Sequence, residues 1–455
     1  MSNLVIVSAD GHAAMPEDAW PEYVERRYHE FLPKAHEEGQ RFLEFQRALI
    51  SFTPETLSVM DPDEVLGSGG WQGIWDLDRR LAEMDREGIA AEFVIPGDQR
   101  APHLFSQFYG PCPAELIKAG KDAYHRWAAD TFGPAKDRLL ILGDAAAVGD
   151  MADMLADLEW LADHGFAATS IPGRVVRPDL PPLHDEYFDP FWAKCADLGL
   201  PILMHAGFGS EVNEYGKKYE KVIKNMEAAG RTNLLEEFLH HAKDFFELSL
   251  RPRQAMWQMM LGGVFDRHPR LRLLMTELRA DWLPATLRHL DAAYLRSRAD
   301  VPAKKLPSEY WKTNCLAGVS FMHKAEAETR YEIGVETIAF GRDYPHAEGT
   351  WPNTREWLSD LFAGVSENEV RLMLGENLIR VLGLDRAHLE SVAARIGPGI
   401  DQVTKPTTTL DPRLAEIFHS RGGYLKPVEQ VDADAIDALL RQDFALSADD
   451  QSTAR

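Results

Sequence analysis

Cysteine is nearly absent: Cys112, Cys195 and Cys315 are the only three in 455 residues. They are too few and too scattered for a disulfide framework or a thiolate zinc site, and a reducing cytosol is compatible with them. No stretch supplies the run of about 18 apolar residues that a membrane span needs. The amino terminus has neither the basic start nor the apolar length of a signal peptide. Positive charge is also short. Asp and Glu number 72 against 49 Lys and Arg, a formal charge of −23. With no basic stripe to offset it, nucleic acid is excluded as the expected partner. A soluble, cytoplasmic protein is the expectation.

What the chain does have is alternation. Short apolar, β-branched runs fall at 4–7, 91–96, 139–145, 167–171, 201–205, 271–277, 313–319 and 337–341, each followed by helical text. The stretch 76–88 is typical, with Leu77, Leu81 and Met84 on one face and Gly88 as its stop. Strand-then-helix order repeated eight times predicts parallel strands in an α/β (β/α)₈ TIM barrel over residues 1–385, with insertions at 15–66 and after the fifth strand. An open doubly wound sheet is the structural alternative. It calls for a Gly-rich phosphate turn after the first strand, and Ser8-Ala9-Asp10-Gly11-His12 is not one. Residues 386–455 read as a C-terminal extension, with an extended Thr/Pro/Asp-rich linker at 400–412 and an acidic amphipathic helix at 431–443. An arm that embraces a neighbouring subunit is the expected role, making the protein a homo-oligomer, a dimer or larger.

In a parallel barrel the C-terminal strand ends meet at one mouth, where catalytic groups gather. Asp10 and His12 follow the first strand, His205 ends the fifth, Glu277 ends the sixth and Asp343 follows the eighth. Each has a bland reading: a turn, a core histidine, a barrel ion pair or a helix cap. Five at equivalent places predict a metal site. Imidazole mixed with carboxylate suits a divalent ion, Zn²⁺ first, with Mn²⁺ or Fe²⁺ as alternatives and one or two ions. A bound ion lowers the pKa of its water to about 7 and polarises a substrate oxygen. Asp343 is then the expected proton carrier, with Glu277 and His346 next in line.

The ordered motifs Ser8-Ala9-Asp10-Gly11-His12, Met204-His205-Ala206-Gly207, Glu277 with Trp282-Leu283-Pro284, and Gly341-Arg342-Asp343-Tyr344-Pro345-His346 resemble the amidohydrolase-related branch of the amidohydrolase superfamily. Aminocarboxymuconate-semialdehyde decarboxylase belongs to that branch. Phe265-Asp266-Arg267-His268-Pro269 and Gly375-Glu376-Asn377 support the resemblance, which covers residues 3 to 385. It implies a metal-dependent (β/α)₈ barrel acting on C–N, C–O or C–C bonds, with Asp10, His12, His205 and Asp343 as ligands. Two departures stand out. Many relatives begin with His-x-His where this chain has Asp10-Gly11-His12, and the best-known decarboxylases carry a histidine where it has Glu277. The superfamily's carboxylated lysine has no counterpart in Ile171-Pro172-Gly173-Arg174.

Three functions follow. The first is a metal-dependent hydrolase of an amide, ester or related carbonyl, using metal-activated water. The alternative is a non-oxidative decarboxylase of an aromatic or unsaturated acid. The third is a catalytically inactive barrel serving as a binding module. The expected partner is a small-molecule substrate. Arg174, Arg100, His103 and Tyr344 on the strand-end loops are the candidates to bind it, the arginines through a bidentate fork to a carboxylate. Trp351, Phe208 and the Trp71 segment are the candidate aromatic wall, and His240-His241 reads as a solvated pair on the insertion.

Overall fold

A computed structural model describes residues 3–49, 52–97, 100–101, 103–105, 112–172, 179–206, 242–407, 409–421, 436–438 and 440–441. The first expected strand is divided into β1 (Val7–Ser8) and β2 (His12–Ala13), both paired in parallel with β3 (Ala91–Pro96). Next come β4 (Leu139–Gly143), β5 (Ala168–Ser170), β6 (Ile202–His205), β7 (Leu273–Thr276), β8 (Cys315–Ser320) and β9 (Ile338–Gly341). Each is parallel to the one before. The circle closes where Ala9 N–H donates to the Phe340 carbonyl (2.8 Å) and His12 N–H to that of Tyr344 (2.6 Å). This is the (β/α)₈ barrel the alternation predicts.

The period of two along each strand divides the core into two layers. Val7, Phe93, Leu140, Leu142, Leu203, Leu274, Leu316 and Ala339 meet inside the barrel. Val94, Ile141, Ile202, Leu273, Val319 and Phe340 face outward onto the helices. Local signals set the helix ends. Asp76 accepts the Arg79 N–H (2.9 Å) to start the helix Leu77–Glu87, and Gly88, at φ 80, ends it.

Two expectations change. The strand read at 313–319 begins later, because the helix Pro307–Asn314 takes its first residues. The linker read at 400–412 opens instead with the helix Ile400–Thr404, whose Ile400 and Val403 are buried. The helix Arg386–Ile396 places Leu389, Val392 and Ala393 against the inner core, and Leu4 N–H donates to the Pro398 carbonyl (2.9 Å). The first part of the extension therefore floors the barrel. Further on, Asp437 pairs with His289 (2.9 Å), while most of 431–443 lies outside the described residues. No described helix is long and apolar enough to cross a membrane.

Glu326 ties two mouth loops together. Fully buried, it accepts the N–H groups of Ala280 (2.6 Å) and His323 (2.9 Å), from the segments after β7 and β8. Burial, opposed by Arg279, pushes its carboxyl from 4.5 up to about 7. Between those values the folded chain keeps a proton that the unfolded chain has released. Stability from this group is thus full at low pH and lost as pH rises from 4.5 to about 7. The expected loss is about 3 kcal/mol, read from denaturant unfolding against pH. Glu326→Gln should flatten that part of the profile; a variant with the parent's slope would contradict this assignment.

Candidate metal centre

Asp10 hangs between β1 and β2, fully buried, and one of its carboxylate oxygens (Oδ2) accepts the hydroxyl of Ser320 at the end of β8. The other, Oδ1, faces two imidazoles, 3.6 Å from His12 Nε2 and 3.5 Å from His205 Nε2. His205 Nε2 lies 3.0 Å from Glu277 Oε2, while His205 Nδ1 donates to the Ala206 carbonyl (2.8 Å). That bond aims Nε2 at the carboxylates. Asp343 Oδ1 is 3.2 Å from both His12 Nε2 and His346 Nδ1, and the His346 ring stacks on His12 at 3.8 Å. All five expected metal-ligating side chains, with His346, therefore converge at the mouth.

Glycine is required twice. A Cβ on Gly11 would lie 2.7 Å from Arg80 and 2.9 Å from the Phe93 carbonyl, and one on Gly341 would lie 2.8 Å from Asp10 Cβ. Glu277 (φ 57) and Asp343 (φ 55) both take the left-handed backbone that side chains avoid. Such conformations cluster at functional sites, where the surrounding packing holds them.

Electrostatically the cluster is short of positive charge. Burial, reinforced by Asp10 and Glu277 and only partly offset by His346, raises the Asp343 carboxyl well above its usual range. Burial also raises Glu277, with His205 opposing and Asp10 and Glu348 adding to the rise. Burial disfavours a charged His205, yet Glu277 and Asp10 outweigh it and hold the ring well above the ordinary imidazole range. His12 is held well below that range, first by burial and then by His346 and His205. Asp10 Oδ1, His12 Nε2 and Asp343 Oδ2 are buried and make no hydrogen bond among the described residues. Asp10, His12, His205 and Glu277 offer ligand atoms all within 4.8 Å of one another, as do His12, Asp343 and His346. Carboxylates raised by burial, and further by one another, beside imidazole nitrogens fit a divalent cation.

The cation should therefore stabilise the fold. Returning Mn²⁺ to EDTA-stripped protein at a hundredfold excess over its Kd should add about 2.7 kcal/mol to the unfolding free energy. The affinity should fall as pH falls, because binding must displace the proton that burial favours on Glu277. A melting temperature indifferent to Mn²⁺ would rule the cation out.

The sequence pattern of the amidohydrolase family matches residues 11–384. The chain belongs to the amidohydrolase family. Gamma-resorcylate decarboxylase of Rhodococcus jostii strain RHA1 is 26% identical over 204 residues, 44% of this chain. That match spans 55%, about half, of the curated relative. Two solved structures share the fold. 5-Carboxyvanillate decarboxylase from Sphingomonas paucimobilis has a TM-score of 0.53 and 18% identity, covering 84% of this chain and 100% of the other. Dihydroxybenzoic acid decarboxylase from Polaromonas sp. JS666, solved with manganese and 2-nitroresorcinol, has a TM-score of 0.56 and 16% identity, covering 85% and 99%. These relatives overturn the expectation of a hydrolase, since all three are decarboxylases. The departures at Asp10 and Glu277 misled that reading: they change the ligand types and leave the bond to be broken undetermined.

The substrate candidates fare differently. Arg174, Phe208 and His240-His241 lie outside the described residues. Arg100 is partly buried and donates to the Pro345 carbonyl (2.9 Å), beside His346. His103 packs edge-on against Trp20 and Tyr124, and burial lowers its pKa to about 4, so it is neutral. Tyr344 is corrected. It is fully buried between Arg80 and Arg342, at 4.5 and 4.6 Å, and its hydroxyl donates to the Gly70 carbonyl (2.5 Å). Trp351, also buried, donates to Glu83 (3.0 Å), so both rings are packing rather than a substrate wall.

Sequence reasoning missed Ser320, Glu348 and a buried charge network beneath the site. Glu92 accepts from Arg80 (2.5 Å) and Arg342 (3.0 Å), and Arg80 also donates to the His12 carbonyl (2.5 Å). All three side chains are fully buried. A carboxylate inside the apolar run of β3 was the available signal for the network.

Proposed function

We propose that this chain is a divalent-cation-dependent, non-oxidative decarboxylase of hydroxylated aromatic carboxylic acids. The observation that carries the reading is Asp343, buried with a raised carboxyl pKa beside His12 and His346, at the edge of a cation site. The decarboxylase names of the relatives support it. Asp10, His12, His205, Glu277 and Asp343 are the side chains that would hold the ion. Mn²⁺ suits this oxygen-rich set and accompanies the Polaromonas protein, so it takes precedence over the Zn²⁺ first expected. A bound ion supplies positive charge for the substrate carboxylate and the hydroxyl beside it.

Asp343 would deliver a proton to the ring carbon bearing the carboxylate, forming the new C–H bond. The C–C bond then breaks, its electron pair restores the aromatic ring, and CO₂ leaves. His346, 3.2 Å from Asp343, is placed to return a proton to it. Arg100 at the same mouth is proposed to orient the substrate. In the cell, a reducing cytosol suits the free Cys112, Cys195 and Cys315, and a homo-oligomer is proposed for the assembled form.

The test is a substrate panel on Mn²⁺-loaded protein. Benzoic acids with a hydroxyl beside the carboxylate should release CO₂, because the hydroxyl feeds electrons to the carbon being protonated. Benzoic acid itself should be inert. Turnover of amides or esters, with no CO₂ from any hydroxybenzoic acid, would overturn the reading.

A further inference from the structure

Beyond the floor, the C-terminal extension returns to the mouth. Its helix Pro412–Arg421 packs on the helix Pro54–Met60 of the first insertion and buries Leu414 and Phe418. The family's sequence pattern ends at residue 384, so this helix lies outside it. The Phe418 ring is 4.6 Å from Trp357, whose indole N–H donates to the Met322 carbonyl (2.8 Å). The next residue, His419, meets His323 directly, Nδ1 to Nε2 at 3.0 Å. Met322 and His323 belong to the loop after β8, where Phe321 takes a left-handed backbone (φ 42). We propose that His419 is a positioning residue, through which this helix holds the loops after β7 and β8 in their working shape.

A continuous run of hydrogen bonds makes the connection. His323 Nδ1 accepts the Ala325 N–H (3.2 Å), so the neutral ring carries its proton on Nε2 and donates it to His419. Burial, with His419, Arg279 and Lys324 adding to it, lowers His323 to about 4 and keeps that ring neutral. The His323 N–H in turn donates to Glu326 (2.9 Å), which also accepts the Ala280 N–H (2.6 Å). Ala280 belongs to the segment after β7, in which Glu277 (φ 57) and Arg279 (φ 55) are both left-handed. Two such residues this close together persist only where their surroundings hold them. Releasing His323 therefore loosens the backbone that carries Glu277. The consequence for the reaction rests on the decarboxylase reading, with Glu277 among the side chains that would hold its ion.

The test compares three variants of the full chain. His419→Leu keeps bulk and helix propensity but loses the acceptor, His419→Ala loses both bulk and acceptor, and His419→Asn offers an amide oxygen in place of Nδ1. Because His419 is only half-buried, the leucine and alanine variants should both fold, which their melting in EDTA checks. Hydrogen–deuterium exchange of the EDTA-stripped proteins, read by mass spectrometry, follows the segment 277–281, and titration with Mn²⁺ follows the site. The leucine and alanine variants should exchange that segment about fivefold faster and bind Mn²⁺ about fivefold more weakly, the most that one lost neutral hydrogen bond transmits. His419→Asn should match the parent in both. Parent-like exchange in the leucine or alanine variant would overturn the proposal, and so would equal speeding in His419→Asn, since the bond would then not matter. Faster exchange with undiminished Mn²⁺ affinity would uphold the positioning role and remove Glu277 from the ligands instead. The exchange needs no turnover, so a failure to release CO₂ from any hydroxybenzoic acid would defeat the decarboxylase reading alone.

Discussion

Asp343→Asn is expected to fold as the parent does and to release CO₂ about 10²–10⁴-fold more slowly, the range a positioned proton carrier supplies. Asparagine is the informative replacement for two reasons. It accepts left-handed backbone well, so the φ of 55 at this position imposes no new strain. It also keeps an oxygen near His12 and His346 while losing the ability to give and regain a proton. Metal content measured alongside turnover separates the two roles. A variant that keeps its Mn²⁺ and loses turnover has lost the proton carrier. One that keeps both would show that Asp343 is not the acid.

Glu92→Gln is expected to cost about 3–5 kcal/mol of stability, the usual penalty for stranding buried charge. Glu92 sits fully buried between Arg80 and Arg342, and the glutamine has nearly its shape but none of its charge. Glu87, 3.8 Å from Arg342, is too far to replace it, and burial already pushes the Glu87 carboxyl upward. The damage should reach the metal. Arg80 holds the carbonyl of His12, Gly11 leaves room for that guanidinium, and Arg342 directly precedes Asp343. Urea unfolding of the EDTA-stripped proteins reads the stability term, and Mn²⁺ titration reads the second effect as weaker binding. Parent-like stability together with parent-like affinity would show that the network does not position the site.

The barrel was legible because strand and helix periods alternate cleanly, and because Asp76 and Gly88 mark helix ends by local chemistry. The metal cluster was legible for a related reason: parallel strands bring their C-terminal ends together whatever their separation in sequence. Asp10, His12, His205, Glu277 and Asp343 could thus be grouped across more than 330 positions. Tyr344 was misread because an aromatic on a mouth loop gives no sign of which way it points. Only the assembled barrel places Arg80 and Arg342 on its two sides. The floor formed by 386–396 was hidden because Thr- and Pro-rich text nearby suggested a linker, while Leu389 and Val392 find their partners in strands far earlier in the chain. The reaction was least legible of all. Hydrolysis and decarboxylation call on the same ion and the same acid, and differ in which substrate atom is placed beside them.

Isotope labelling separates those two chemistries most directly. The Mn²⁺-loaded protein is incubated with 2,6-dihydroxybenzoate in D₂O and, separately, in H₂¹⁸O, and the products are examined by mass spectrometry. Decarboxylation predicts CO₂ release, one deuterium on the ring carbon that held the carboxylate, and no ¹⁸O in the aromatic product. Intact 2,6-dihydroxybenzoate, with ¹⁸O appearing instead in the products of amides or esters offered to the same preparation, would contradict it.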